Sequence, residues 1–265
     1  MYALVRVSAE LAVQLVAIET GGEDAVHQAR TRVRRLRSIL AVYRPAFDRD
    51  AAAAMRARLR RLGHRLGDVR DLEVRARDLG GLALEAGEGE AGGGPVAEAV
   101  GALAAQAAER HDRALDALLR TLRSRGNREL LADLQQFAAA PPLSEAGAAH
   151  PAKVARKRLK KAVRKVVRSE GEALEQRHEA RKAARRLRYA AEAVEDDLGN
   201  RALRLATAAE TLQDTLGDHR DLVLLARHLR DNDPGGVLDE LAASCEARAQ
   251  ERLGDLDDAY DAIEW

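Results

Sequence analysis

The chain has 265 residues, enough for one large domain or two smaller ones. Its 44 Lys and Arg against 43 Asp and Glu give a formal charge of +1, so net charge indicates no partner. Charged residues make up 33% and aromatic residues only 3%, which is typical of long helices and excludes most β-sandwiches and β-barrels. A single cysteine excludes an intrachain disulfide. We expect a soluble, intracellular, all-α protein without a membrane span or secretory signal.

Apolar periodicity and helix-breaking residues predict a succession of helices. In the first half we predict helices at about 7–19, 23–44, 49–79 and 95–124, with a short further helix near 127–138. A loop rich in Gly, Glu and Ala is expected over 80–94. In the second half we predict helices at about 151–168, 172–198, 201–231 and 237–263.

Two segments of the first half recur in the second half in the same order. Residues 27–37, HQARTRVRRLR, match HEARKAARRLR at 178–188, at an offset of 151. Residues 66–72, LGDVRDL, match LGDHRDL at 216–222, at an offset of 150. Two ordered matches that are nearly in phase indicate a tandem duplication.

The duplication predicts the architecture. Four helices in each half suggest a tandem pair of four-helix bundles related by pseudo-twofold symmetry. We predict a single domain over 1–265, with the first repeat at 1–140 and the second at 141–265.

The basic residues are concentrated in stretches without acids. No acid lies between Asp24 and Asp48, where six arginines fall, and nine of the sixteen residues over 153–168 are basic. The last stretch, 231–265, reverses this balance with eleven acids. A solvated helix face usually mixes signs four residues apart, so these stretches predict an anion-binding surface.

A helical wheel places the cations of each stretch on one face. The motif puts one histidine and three arginines on a stripe opposite its leucine in each copy: His27, Arg30, Arg34 and Arg37, then His178, Arg181, Arg185 and Arg188, with Lys182 beside them. The lysine-rich helix places Lys153, Lys157, Lys160 and Arg164 opposite its apolar stripe. Cations repeating at about 5 Å suit an extended polyanion better than one small phosphate.

His27 and His178 admit two interpretations. Each caps or packs within the protein, or each becomes a protonated donor to a bound polyphosphate. Their neighbours are cations, and the string from 178 to 182 ends in Lys, so it is not an H-E-x-x-H zinc motif. We expect neither a metal site nor a cofactor.

Two copies of H-x-x-R-x-x-x-R-R-L-R, each followed by L-G-x-x-R-D-L, resemble the CHAD family, the conserved-histidine α-helical domains. The resemblance covers nearly the whole chain. It implies two pseudo-symmetric four-helix bundles with a basic groove or channel that binds long-chain inorganic polyphosphate, in the cytoplasm and at polyphosphate granules. The residues that it implies face the ligand are His27, Arg30, Arg34, Arg37, Lys153, Lys157, Lys160, Arg164, His178, Arg181, Lys182, Arg185 and Arg188.

Members of that family are often fused to a CYTH-type triphosphate-hydrolysing domain with an E-x-E-x-K motif. The comparable string here, Glu88-Gly89-Glu90, lacks the lysine, so we expect no such catalytic partner in this chain. The first half has few cations before its histidine motif, and the groove is therefore expected to be richer on the side of the second half.

Non-catalytic polyphosphate binding is the favoured function. One alternative is nucleic-acid binding, but the basic stripes lack the aromatic residues on which bases stack. The other is a phosphotransferase or phosphohydrolase that uses the motif histidines, but the sequence shows no phosphate-binding loop and no histidine–carboxylate pair in the stripes. We therefore expect no enzymatic activity and neither a nucleic-acid nor a membrane partner.

Overall fold

A computed structural model describes residues 2–87, 94–144, 151–233 and 235–264. These residues are helical apart from connecting turns and one isolated β-bridge between Phe47 and Leu143, which confirms the predicted all-α class. A 3₁₀ turn, Arg44–Ala46, follows the second α-helix. The α-helices are α1 (Tyr2–Glu19), α2 (Ala25–Val42), α3 (Arg49–Gly87), α4 (Pro95–Leu122), α5 (Arg125–Ala139), α6 (Pro151–Val167), α7 (Leu174–Ala193), α8 (Glu195–Leu198), α9 (Asn200–Asp231), α10 (Asp239–Glu251) and α11 (Leu256–Asp261).

Local sequence signals set several helix ends. Pro95 and Pro151 stand at the first positions of α4 and α6, where proline's missing N–H removes no helical hydrogen bond. The Ser124 hydroxyl accepts a hydrogen bond from the Asn127 backbone N–H at 3.3 Å and caps α5. Gly199 follows α8 with a φ of 59°, a conformation that glycine adopts without a Cβ clash.

The third helix is longer than its sequence pattern indicates. It continues through Gly80 and Gly81 to Gly87 instead of ending near 79. Leu79 and Leu82 are both buried beside these glycines, and their packing outweighs the low helix propensity of glycine. The rest of the expected loop, with Glu88-Gly89-Glu90, falls on 88–93, outside the described residues.

Two predicted helices are each interrupted. The helix expected over 172–198 is divided at Val194 into α7 and α8, and the one expected over 237–263 is divided into α10 and α11. Turn residues 252–255 include Gly254, and glycine has low helix propensity. No described helix is both long enough and apolar enough to cross a membrane.

The chain forms two compact units, and each unit takes residues from both sequence repeats. Unit 1 comprises Met1–Leu66, Leu119–Asp214 and Asp257–Trp265, and unit 2 comprises Gly67–Leu118 and Thr215–Leu256. The long helices α3 and α9 therefore contribute residues to both units. The repeat boundary at 140/141 stays a prediction.

Unit 1 contains the helices that carry the basic motifs. Within it α1 packs on α2, α6 packs on α7, and α2 packs on α7. The interior is formed by leucines and valines repeating at three- and four-residue spacing, as in Val33, Leu36 and Leu40 of α2. This packing fixes which faces of α2 and α7 remain available.

Unit 2 has its own apolar core between α3, α4, α9 and α10. Its members are small or aliphatic side chains. Cys245 belongs to this core and is 1% exposed. The buried members are Leu79, Leu82, Val100, Ala107, Ala226, Leu229, Leu238, Ala242 and Cys245.

Candidate polyanion-binding site

The motif of the first repeat lies on α2, with its leucine inside and its cations at the edge. Ala29, Val33 and Leu36 are completely buried. The motif cations occupy the neighbouring face and are half-buried rather than fully solvated: His27, Arg30, Arg34 and Arg37. The motif cations therefore share one face of α2, as their helical spacing predicted, while another face of the same helix contributes to the core.

The motif of the second repeat lies on α7, whose buried face consists mainly of alanine. Ala180, Ala184 and Leu187 are completely buried. These short side chains allow the backbones of α2 and α7 to come close, since little volume separates them. The four cations of this copy are also half-buried: His178, Arg181, Arg185 and Arg188.

Arg185 lies at the centre of a cluster of like charges from both helices. Burial is the largest effect on its guanidinium, and the charges of Arg34, Arg181 and Arg30 act in the same direction. Together they lower the pKa of Arg185 to about 10. The Arg181 Nε is buried and donates no hydrogen bond to any described residue. We call Arg30, Arg34, Arg181 and Arg185 the arginine cluster.

Arg37 extends this charge toward α3. Burial lowers the pKa of Arg37, and the charges of Arg56, Arg60 and Arg34 lower it further. Burial and the charge of Arg44 lower the pKa of Arg56. The α3 arginines were not among the predicted ligand-facing residues, although the acid-free stretch over 51–67 carries five arginines and is a signal of the same kind.

Arg188 differs from the other motif arginines because carboxylates surround it. Its Nε lies 3.0 Å from an Oε of Glu192, and its Nη2 lies 2.6 Å from an Oε of Glu210. Burial alone would lower the pKa of Arg188, but the hydrogen bond and the charges of these two carboxylates raise it. Glu192 also lies 3.6 Å from the Nε of Arg35, which joins α7 to α2.

Lys182 is likewise engaged with a neighbour on its own helix. Its Nζ lies 2.7 Å from an Oε of Glu179. The hydrogen bond from Lys182 is the largest cause of the lowered pKa of Glu179, and the charges of Arg186 and His178 add to it. Lys182 therefore brings a compensated charge to the stripe.

The lysine-rich helix, α6, presents its cations on an exposed face. Ala155, Leu159 and Val166 are completely buried and form the side that packs. All nine cations from Lys153 to Arg168 are exposed, and none forms an ion pair or side-chain hydrogen bond with a described residue. This set contains the predicted Lys153, Lys157, Lys160 and Arg164. The cations that act on Arg185 belong to α2 and α7, and no cation of α6 is among them.

Comparisons with known proteins find a matching family and similar folds. The CHAD domain family model matches residues 7–230. A solved structure of PptA from Streptomyces chartreusis matches with a TM-score of 0.66 and 20% identity, over 98% of this chain and 94% of that one. The CHAD domain from the plant Ricinus communis matches with a TM-score of 0.67 and 21% identity, over 98% and 88%. A search of curated proteins found no match.

The fold and the site define an all-α protein with a half-buried arginine cluster contributed by two copies of one sequence motif. The family match spans most of the chain, and the chain therefore belongs to the CHAD family. The family expected from the two histidine motifs is confirmed.

Proposed function

We propose that the chain binds long-chain inorganic polyphosphate in a basic groove at the arginine cluster. The observation that carries the proposal is the position of Arg185, which is half-buried among the arginines of two helices. Like charges that lie close together in a half-buried place repel, and a bound polyanion relieves the repulsion. Guanidinium groups also match phosphate oxygens two at a time.

The arrangement favours a chain of phosphates over a single one. Arginines three or four residues apart on a helix repeat at about 5 Å along its axis. Two such rows, on α2 and α7, offer contacts to several successive phosphates. A monophosphate uses only one of these places and gains little from the others.

We also propose the pseudo-twofold relation between the repeats. Arg34 and Arg185 are equivalent positions of the motif, at the offset of 151. Arg34 is the foremost charge acting on Arg185. Equivalent residues of two related copies approach each other when they lie near the symmetry axis. The tandem bundles predicted from the repeat supply such an axis between α2 and α7.

The function that we propose is binding without catalysis. The cluster consists of guanidinium groups, which do not exchange protons near neutral pH and are poor acids or bases. Binding of this kind gives the chain a place at cytoplasmic polyphosphate granules. The motif histidines add donors to the same stripe.

The test is the affinity for fluorescently labelled polyphosphate of the wild type and of an Arg34→Gln/Arg185→Gln variant. Losing two charge-assisted contacts should weaken binding at least about tenfold. The matched control is Arg32→Gln/Arg186→Gln, which removes two charges from the same helices. Arg32 already pairs with Glu10 at 3.2 Å, and Arg186 is exposed, so this control should bind nearly as the wild type.

Equal affinities of the two double variants would refute a specific arginine site. Competition by single-stranded RNA at equal phosphate concentration would favour nucleic-acid binding instead. Release of phosphate during incubation with Mg²⁺ would favour an enzyme.

A further inference from the structure

Two equivalent arginines of the repeat have opposite electrostatic surroundings. Arg37 and Arg188 occupy the last position of the motif, at the offset of 151. Arg188 contacts the carboxylates of Glu192 and Glu210. Arg37 forms no ion pair with any described residue, and the charges acting on it are those of other arginines.

Two pairs of equivalent positions make the difference: Glu192 of α7 has Ala41 as its counterpart on α2, and Glu210 of α9 has an arginine as its counterpart on α3. Glu210 lies 150 residues after Arg60, the offset that relates the two L-G-x-x-R-D-L segments. In the second half this position gives Arg188 a carboxylate at 2.6 Å. In the first half the same position gives Arg37 a second guanidinium. The equivalent positions therefore form an ion pair in the second half and a group of like positive charges in the first half.

The packing of α3 against α2 places the guanidinium of Arg37 on this positive face. Arg56, Arg60 and Gly63 follow one another at spacings of four and three and share a face of α3. A Cβ on Gly63 would stand 3.0 Å from Val33 Cγ1 and 3.9 Å from Arg37 Nη1. The two helices therefore meet closely here, and Arg37 lies against the face of α3 that carries the two arginines.

The arginines on this face of α3 keep hydrogen-bond donors that no described residue uses. The Arg56 Nε is buried and donates to no described residue. Arg60 is exposed, and neither it nor Arg44 pairs with a carboxylate in the described part of the chain. By contrast, Arg58 on the same helix is paired with Asp133. An anion that reaches Arg37 therefore meets several guanidinium groups with unused donors.

We propose that Arg37, Arg56 and Arg60, with Arg44 at the edge, form a second phosphate-binding subsite that exists only in the first half. This inference rests on the proposed function, because the subsite takes further phosphates of a chain already held by the arginine cluster. The charge of Arg34 acts on both Arg37 and Arg185, so Arg34 connects the subsite with the arginine cluster. Beyond the cluster the ligand then follows α3 and not α9, where Glu210 neutralises Arg188 and leaves no free positive charge for a phosphate.

The decisive variant is Arg60→Glu, which introduces into the first half the charge found in the second. We expect polyphosphate affinity to fall about tenfold, since one contact is lost and a repulsion is gained. We also expect the melting temperature of the free protein to rise, because Arg37 gains an acidic partner. If Arg60 had a purely structural role, Arg60→Glu would not combine a weaker polyphosphate affinity with a higher melting temperature.

The matched control is Arg58→Glu, with the same charge change on the same helix. It should change polyphosphate affinity much less than Arg60→Glu and should lower the melting temperature, because it breaks the pair with Asp133. The reciprocal variant, Glu210→Arg, should raise affinity several-fold. If it does not fold, Glu210→Gln tests the same point with a smaller expected gain.

Equal losses in Arg60→Glu and Arg58→Glu would overturn the subsite. The proposed function would survive that result if Arg34→Gln/Arg185→Gln still lost binding while its control did not. A wild-type protein that fails to bind polyphosphate would refute the function and the subsite together.

Discussion

At the scale of single residues, the motif arginines divide into charges that the protein compensates and charges that it does not. Arg188 has two carboxylates within 3.0 Å, whereas Arg185, three residues earlier, has arginines as its charged neighbours. The same residue type on the same helix therefore costs folding free energy at one position and contributes it at the other. Only the uncompensated arginine has electrostatic free energy to gain from an anion.

Replacing each of these arginines by methionine should change stability in opposite directions. Arg185→Met keeps the apolar stem and removes a repelling charge, so at low salt the free energy of unfolding should rise by about 1 kcal/mol after allowance for solvent screening. Arg188→Met removes the arginine that pairs with Glu210 and one of the two that pair with Glu192, and it should lower the free energy of unfolding by about 1–3 kcal/mol. Thermal unfolding monitored by circular dichroism at pH 7.5 measures both.

The lowered pKa of Arg185 determines how its effect on the free energy of unfolding changes with pH. The pKa of Arg185 is lowered in the folded state, so below about pH 10 the charged side chain destabilises the fold fully. As the pH rises above 10, the folded state loses this proton before the unfolded state does, and the penalty decreases until the unfolded state has lost its proton as well. The stability difference between Arg185→Met and wild type should therefore be constant around neutral pH and shrink above pH 10. If the melting temperatures of the wild type and of Arg185→Met fall equally as the pH rises above 10, this account of the arginine cluster is contradicted.

At the scale of helices, α6 differs from α2 and α7 in the way it presents its charge. The nine cations from Lys153 to Arg168, eight of them within α6, are exposed and make no ion pair with described residues, whereas the motif arginines are half-buried. Exposed, mobile charges chiefly accelerate encounter, and buried, oriented charges chiefly slow dissociation. The two kinds of helix are suited to different steps of binding.

Neutralising one face of α6 separates these steps. In the variant Lys153→Gln/Lys157→Gln/Lys160→Gln, the association rate with labelled polyphosphate should fall several-fold at low salt. The dissociation rate should change less than about twofold, because the arginine cluster is intact. Stopped-flow fluorescence at two ionic strengths measures both rates. A dissociation rate that rises in proportion to the loss of affinity would show instead that these lysines hold the bound chain.

Sequence periodicity predicted which cations share a helix face, but it did not predict which charged residues surround them. The spacing of His27, Arg30 and Arg34 against Leu36 fixes their common face, because a helix has a regular period. The pairing of Arg188 with Glu210 joins residues of different helices, and no pattern within α7 contains it. The extension of α3 to Gly87 was missed for the same reason, since buried leucines of the folded core outweigh the local preference of glycine.

At the scale of the whole molecule, a formal charge of +1 conceals a strongly uneven distribution. The arginine cluster, its extension on α3 and the lysine face of α6 all belong to unit 1. Unit 2 contains a separate apolar core with Cys245 and residues of α10. Net charge therefore gives no indication of the partner, whereas the charge within unit 1 favours a polyanion.

The central claim is that equivalent arginines of the two repeats neutralise phosphates of one bound chain. The most direct measurement is the dependence of the polyphosphate binding constant on salt concentration, for the wild type and for Arg34→Gln/Arg185→Gln. Each neutralised phosphate contributes about 0.7 to the slope of log K against log salt for a single-stranded polyanion, so the double variant should lose about 1.4. A slope unchanged from the wild type would contradict the claim, because it would mean that neither arginine displaces a counterion from the bound chain.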